Sequence, residues 1–161
     1  MMRHNGFRMA PAKQSGVGLI EVLIAVLVLS IGFLGMAAMQ ARSLSMNNSS
    51  MARSFAVMES YSILDAMRAD LVAAQSGAYN VASVNASGSG CPTATGTLAD
   101  AQLTQWCTQL VAGLGASASG SINCTGSLGL CTVTVTYDDS KSVSATTDTT
   151  GQQTVTTQAM L

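Results

Sequence analysis

From Val22 to Ala41 the chain runs twenty residues without a charge, and only Ser30 and Gln40 are clearly polar. At a rise of about 1.5 Å per residue, a helix over this stretch is about 30 Å long, the thickness of a bilayer's hydrocarbon core. Arg3, Arg8 and Lys13 precede it, so the positive-inside rule keeps the N-terminus cytoplasmic and sends the remainder outward. A cleavable secretory signal is the plainer reading of such a segment. Against it, the run exceeds the usual apolar core of about 7–15 residues, and no Ala-x-Ala site follows within Leu34–Ala41. A lipoprotein signal is absent, because the first cysteine is Cys91.

The rest of the composition narrows the function. Only 9% of the 161 residues are charged, against about 25% in ordinary globular chains. Six of the seven basic residues lie at or before Arg68, leaving Lys141 alone beyond it. No basic patch with interleaved aromatics exists, so nucleic-acid binding is not expected. A net charge of −1 gives little self-repulsion, which suits a chain that associates. His4 is the sole histidine and precedes the apolar segment. Ser-His-Asp and Cys-His catalysis and imidazole-based zinc sites are therefore excluded beyond it. We expect no enzyme, no catalytic residue, no metal and no cofactor.

Glu21 stands at the cytoplasmic end of this run, within Val17-Gly18-Leu19-Ile20-Glu21-Val22-Leu23-Ile24. A carboxylate beside lipid is costly and marks a functional position; it is also a residue that a helix N-terminus favours through its dipole. Its neighbours separate the two readings. Lys13-Gln14-Ser15-Gly16 followed by Val17-Gly18-Leu19-Ile20-Glu21 resembles the type IV prepilin cleavage motif: a basic leader, a glycine, an apolar residue, and a glutamate fifth after the glycine. The resemblance implies that a prepilin peptidase cuts between Gly16 and Val17 and methylates the Val17 amine, leaving 161 − 16 = 145 residues. It also implies that Glu21 serves assembly, meeting the Val17 ammonium of a neighbouring subunit. At 4 Å and an effective dielectric near 20, that attraction is about 4 kcal/mol before desolvation. Val17-Gly18 departs from the family's commoner Phe-Thr, and Ala38 stands where major pilins often carry proline.

Beyond the apolar run, Met51, Phe55, Met58, Tyr61, Leu64, Met67 and Leu71 recur every three or four residues, the spacing of a helical packing face. The expected helix covers roughly 17–76, with Gly77 as its stop and Asn47-Asn48-Ser49-Ser50 as a place for a bend or fraying. Four segments follow: a leader over 1–16, a transmembrane or filament-core segment over 17–41, an amphipathic stem over 42–76 and a head over 77–161. Within the head, 77–97 reads as loop. Thr97-Leu98-Ala99-Asp100 reads as a capping box opening a short helix, with Leu103, Trp106, Leu110 and Leu114 inward and Gly113 and Gly115 at its end. Trp106 reads as a core anchor. Cys131, Val133, Val135 and Tyr137 alternate with threonines as a strand, Ser121–Cys124 forms a hairpin with it, and Gln153–Leu161 supplies a last strand.

Cys91, Cys107, Cys124 and Cys131 all follow the apolar segment and so meet an oxidising compartment. Four cysteines allow three pairings. The hairpin favours Cys124–Cys131, leaving Cys91–Cys107 to tie loop to helix. No C-x-x-C pair suggests a metal. Asp138-Asp139 is the one adjacent acidic pair; its residues face opposite ways on a strand and read as a solvated turn.

The whole pattern resembles the PilV-type minor pilins, through Gly16–Leu23, Leu103-Thr104-Gln105-Trp106 and Cys131–Asp139. That resemblance implies an α+β, pilin-like fold: a long N-terminal α-helix packed against a small antiparallel β-sheet head with disulfides. The implied partners are prepilin peptidase, the major pilin and other minor pilins, the inner-membrane assembly platform, a tip adhesin and the membrane. The implied location is the inner membrane, with the head periplasmic, and then the pilus. Two alternatives share the leader and stem: a minor pseudopilin of type II secretion, and a membrane-anchored ligand- or DNA-binding pilin. The second calls for a basic or aromatic head, which the distribution of charge does not provide.

Overall fold

A computed structural model describes residue 16 and residues 18–85, 91–125, 129–140 and 151–161. The leader up to residue 15 and Val17 lie outside the described residues. Contacts divide the chain into one unit up to Gln40 and another from Ala41 to Leu161.

In the first unit, helix α1 (Leu19–Ala69) begins just after Gly18, whose carbonyl accepts from the Glu21 N–H at 2.9 Å. Every described residue up to Gln40 is exposed, and the helix is long and apolar enough to cross a membrane. Ser30 does not spoil this surface: its hydroxyl donates to the Val26 carbonyl one turn back, at 2.7 Å.

In the second unit α1 continues to Ala69, a five-residue helix α2 (Leu71–Gln75) follows, and Gly77 closes it at φ +84°. Ala78 N–H reaches the Ala73 carbonyl and Gly77 N–H the Ala74 carbonyl, a Schellman closure for which glycine's left-handed freedom is required. The expected single helix is therefore interrupted at Asp70. The expected weak point at 47–50 is continuous helix. Ser50 donates to the Met46 carbonyl, Ser54 to the Ser50 carbonyl, and Ser49 to the Asp139 carboxylate, so these hydroxyls are satisfied without breaking the ladder.

The loop expected over 77–97 contains a strand, β1 (Val81–Asn85). Asn80 makes the approach possible, donating to the Cys124 carbonyl at 3.3 Å and accepting from the Cys124 N–H at 2.7 Å as a strand partner would. Helix α3 (Leu98–Leu114) starts at Thr97, whose hydroxyl accepts from the Asp100 N–H at 3.1 Å. The Asp100 carboxylate in turn accepts from the Thr95 hydroxyl, and these bonds hold its carboxyl below the usual range. Strands β2 (Ser119–Thr125), β3 (Leu130–Asp138) and β4 (Gln152–Met160) complete an antiparallel sheet of order β1-β2-β3-β4.

The core lies between this sheet and the helices. On β3, Cys131, Val133, Val135 and Tyr137 point inward, as their alternation with threonine requires. Trp106 is its largest fully buried side chain, and its indole N–H donates to the Glu59 carbonyl at 3.1 Å. Two glycines admit the aromatics. A Cβ at Gly120 would lie 2.3 Å from the Trp106 ring, and one at Gly113 would lie 2.1 Å from Phe55. Gly113 is thus a helix–helix contact inside α3, and Gly115, at φ +97°, is what ends the helix.

The buried stripe of α1 is Ala56, Glu59, Ser60, Ile63, Leu64 and Met67. Of the stripe expected from sequence, Leu64 and Met67 are buried, Phe55 is half-buried, and Met51, Met58, Tyr61 and Leu71 are exposed. Phe55 of α1 packs against Gly113 of α3, and the Trp106 indole of α3 reaches the Glu59 carbonyl of α1. Disulfides join Cys91 to Cys107, tying the segment before α3 to that helix, and Cys124 to Cys131 across the β2–β3 ladder.

Candidate functional site

The N-terminal segment is a site of sequence rather than of cavity. Gly16, Gly18 and Glu21 are all exposed, and a Cβ at Gly16 would meet nothing within 4 Å. Nothing in the described residues therefore demands a glycine at position 16, and any intolerance of bulk there arises in a partner's cleft. Glu21 sits in the first turn of α1, where the unpaired N–H groups favour a carboxylate. Its carboxylate has no hydrogen bond or ion pair within the described residues. Around it Leu19, Ile20, Val22, Leu23 and Ile24 are all more than half exposed, so the one charge is set in a continuous apolar surface. Such a surface calls for lipid or another protein's apolar face.

The chain carries a prepilin-type N-terminal methylation motif. Residues 11–37 match the model of the prokaryotic N-terminal methylation motif, and the match includes Gly16, Val17 and Glu21. The methylation motif stops short of the head, and no curated protein and no solved structure matches the chain. Together with the long helix, the small four-stranded sheet and the two disulfides, the motif makes the protein pilin-like. The motif implies processing by prepilin peptidase and a place in pilus or pseudopilus assembly. Val17, to which cleavage and methylation are assigned, lies outside the described residues.

The other residues singled out from sequence are not gathered at one place. Cys91, Cys107, Cys124 and Cys131 are all engaged in disulfides within the head. The Asp138-Asp139 pair is not a solvated turn. Asp138 is exposed at the end of β3, whereas Asp139 is 8% exposed and accepts from Ser49 at 2.5 Å. The β3 register turns Asp139 inward beside α1, where a hydroxyl can meet it. Nearby, Leu44, Asn48, Ala52, Leu114 and Asp139 line an open cleft of about 670 Å³.

Two buried polar groups, one on the stem and one on the head, carry no sequence signal of their burial. Glu59 falls between the large apolar residues of the stem, yet it is 6% exposed and its Oε2 is buried with no hydrogen-bond partner in the described residues. Burial pushes its carboxyl above the ordinary value. Tyr79 is fully buried, and its hydroxyl meets Gln102 and, at 3.3 Å, the Asp70 carboxylate. Burial, then the Asp70 charge and hydrogen bond, push its phenol up to about 12. Among the described residues no cluster of three or more metal-ligating side chains occurs.

Proposed function

We propose that the protein is a minor pilin of a type IV pilus, of the PilV type, cleaved after Gly16 and methylated on Val17. The observation that carries this reading is the methylation motif running without a break into the exposed apolar first part of α1, where Glu21 is the one charge before Arg42. Before assembly that helix anchors the chain in the inner membrane, with the basic leader cytoplasmic and the disulfide-bonded head periplasmic. On extraction into a filament, the apolar surface exchanges lipid for the helices of neighbouring subunits. Glu21 then meets the Val17 ammonium of the next subunit. A carboxylate moved into that apolar core without a cation is strongly disfavoured, so the pair selects one axial register. The head stays outside, where major pilin, other minor pilins and a tip adhesin meet it.

Mass spectrometry of the protein recovered from its own cell tests the processing. The expected N-terminus is N-methylated Val17; a start at Met1, or one after Ala41, rejects the reading. Deleting the gene then separates the assembly contexts. Loss of surface pili and twitching supports the minor pilin, and loss of exoprotein export with pili intact transfers the protein to a type II secretion pseudopilus.

A further inference from the structure

The cleft of about 670 Å³ beside α1 has the volume of a small-molecule site. On α1 its lining begins with Ala41 and Leu44 and continues with Ser45 and Asn48. Leu114, which packs against the core, lines it from the end of α3, and Asp138 and Asp139 line it from the end of β3. Among the described residues that line it, two are carboxylates and none is a cation. Its chemistry therefore suits a ligand with an apolar part and a positive charge.

The level of the cleft follows from the sequence. The uncharged run ends at Ala41, and Arg42 is the first charge after Glu21. With the anchoring proposed above, the hydrocarbon boundary falls at Ala41. A bilayer is about 30 Å thick in its hydrocarbon and about 40–45 Å thick with its headgroups, so these add about 5–8 Å on each side. At about 1.5 Å per residue, Leu44 stands about 4.5 Å beyond the boundary and Asn48 about 10 Å beyond it. Helical side chains lean toward the N-terminus, which brings the Ser45 hydroxyl and the Asn48 amide down toward the headgroup layer. From Ala41 and Leu44 to Ser45 and Asn48 the lining turns from apolar to polar, in the same sense as a phospholipid does from acyl chain to headgroup.

We propose that this cleft binds a membrane phospholipid whose headgroup ends in a primary ammonium, with the first acyl carbons against Ala41 and Leu44. The ammonium meets the two carboxylates. Asp139 is 8% exposed and accepts from the Ser49 hydroxyl at 2.5 Å, while its own N–H donates to the Gly151 carbonyl at 2.7 Å, so this carboxylate is fixed in place. Asp138 is exposed, and its Oδ1 accepts from the Ser140 N–H at 2.8 Å, which holds the side chain at the rim. A primary ammonium brings three N–H donors to these acceptors. A quaternary choline brings the charge without a donor, and an anionic headgroup meets two carboxylates of its own sign. A basic side chain of another subunit carries the same charge, but the apolar residues that begin the lining stand at lipid depth and call for an acyl chain. The site rests on the anchoring proposed above, and not on cleavage after Gly16 or methylation of Val17.

Native mass spectrometry of the full chain, purified from membranes in detergent, tests the site. The chain is mixed with equal amounts of phosphatidylethanolamine, phosphatidylcholine and phosphatidylglycerol of the same acyl chains. One phosphatidylethanolamine is expected to be retained about ten-fold more than either other lipid. Asp138→Asn removes the charge but keeps an acceptor for the Ser140 N–H, and is expected to lower that retention about five-fold. Ala41→Trp, at an exposed position, fills the start of the cleft and carries the same expectation. Circular dichroism establishes the fold of each variant, and either folded variant suffices. Equal retention of the three lipids, or phosphatidylethanolamine retention unchanged in a folded variant, overturns the proposal. In membranes, a carbodiimide that condenses a carboxylate with a touching amine is expected to attach phosphatidylethanolamine to the peptide bearing Asp138 and Asp139. Attachment of that peptide to a lysine of another subunit instead also overturns it. A chain recovered from the soluble fraction refutes the anchoring and the lipid site together. A membrane-bound chain with methylated Val17 and no lipid preference leaves the pilin reading standing and removes only the lipid site.

Discussion

Replacing Glu59 by methionine should stabilise the head. In the native protein Oε2 is buried without a partner, and the nearby indole N–H of Trp106 is committed to the Glu59 backbone carbonyl at 3.1 Å. A buried polar group left without a partner costs about 1–3 kcal/mol, and an apolar side chain of similar length removes that cost. About 1 kcal/mol moves the melting temperature of a domain near this size by about 3–5 °C, so a rise of about 3–15 °C is expected at neutral pH. The pH dependence gives a sharper test. Burial raises the folded-state pKa of Glu59 above its ordinary 4.5, so between the two values the native state holds more protons than the unfolded chain. Glu59 is therefore least harmful below the unfolded value. Its contribution worsens as pH rises through the folded value and is constant above that. Thermal unfolding of full chain in detergent, followed by circular dichroism near pH 4 and pH 7, should show a larger gain for Glu59→Met at pH 7. Glu59→Gln should lose the same pH-dependent component. Equal gains at both pH values, or a loss of stability at pH 7, would refute the account of Glu59 as an unpaired buried carboxylate.

Other perturbations address separate parts of the molecule. Glu21→Val should leave membrane insertion and cleavage intact while lowering the fraction of cleaved protein in sheared filaments at least ten-fold; equal recovery would make the glutamate merely interfacial. Gly16→Leu should block cleavage although position 16 has open space around it, so immunoblots should show only the longer, leader-bearing form. Gly120→Ala should destabilise the head by about 1–3 kcal/mol, because its Cβ would lie 2.3 Å from Trp106 and 2.9 Å from Leu110; unchanged thermal unfolding would refute that packing. Replacing Cys91 and Cys107 together by alanine, which opens a loop of 16 residues, should cost about 3 kcal/mol of head stability, measured by thermal unfolding beside the native chain.

Elements whose pattern is local were legible in the chain itself. The uncharged run after Glu21 specifies an apolar helix whatever surrounds it, because backbone satisfaction and side-chain chemistry agree over many consecutive residues. The period-two alternation of Cys131–Tyr137 specifies a strand with one inward face, and Thr97 with Asp100 specifies where α3 begins. The methylation motif is legible for the same reason, since a peptidase reads contiguous residues.

What depended on distant partners was settled only by the tertiary structure. Large apolar Met51, Met58 and Tyr61 suggested the packing face of α1, yet the buried side holds Ala56, Ser60 and Glu59. Helix α3 approaches closely enough to set Phe55 against Gly113, and at that separation small residues fit where large ones clash. The residues of β1 carry too little pattern to specify a strand, and its pairing is supported by Asn80 reaching across to Cys124. Asp139 read as a surface turn until Ser49, ninety positions earlier, supplied its hydroxyl.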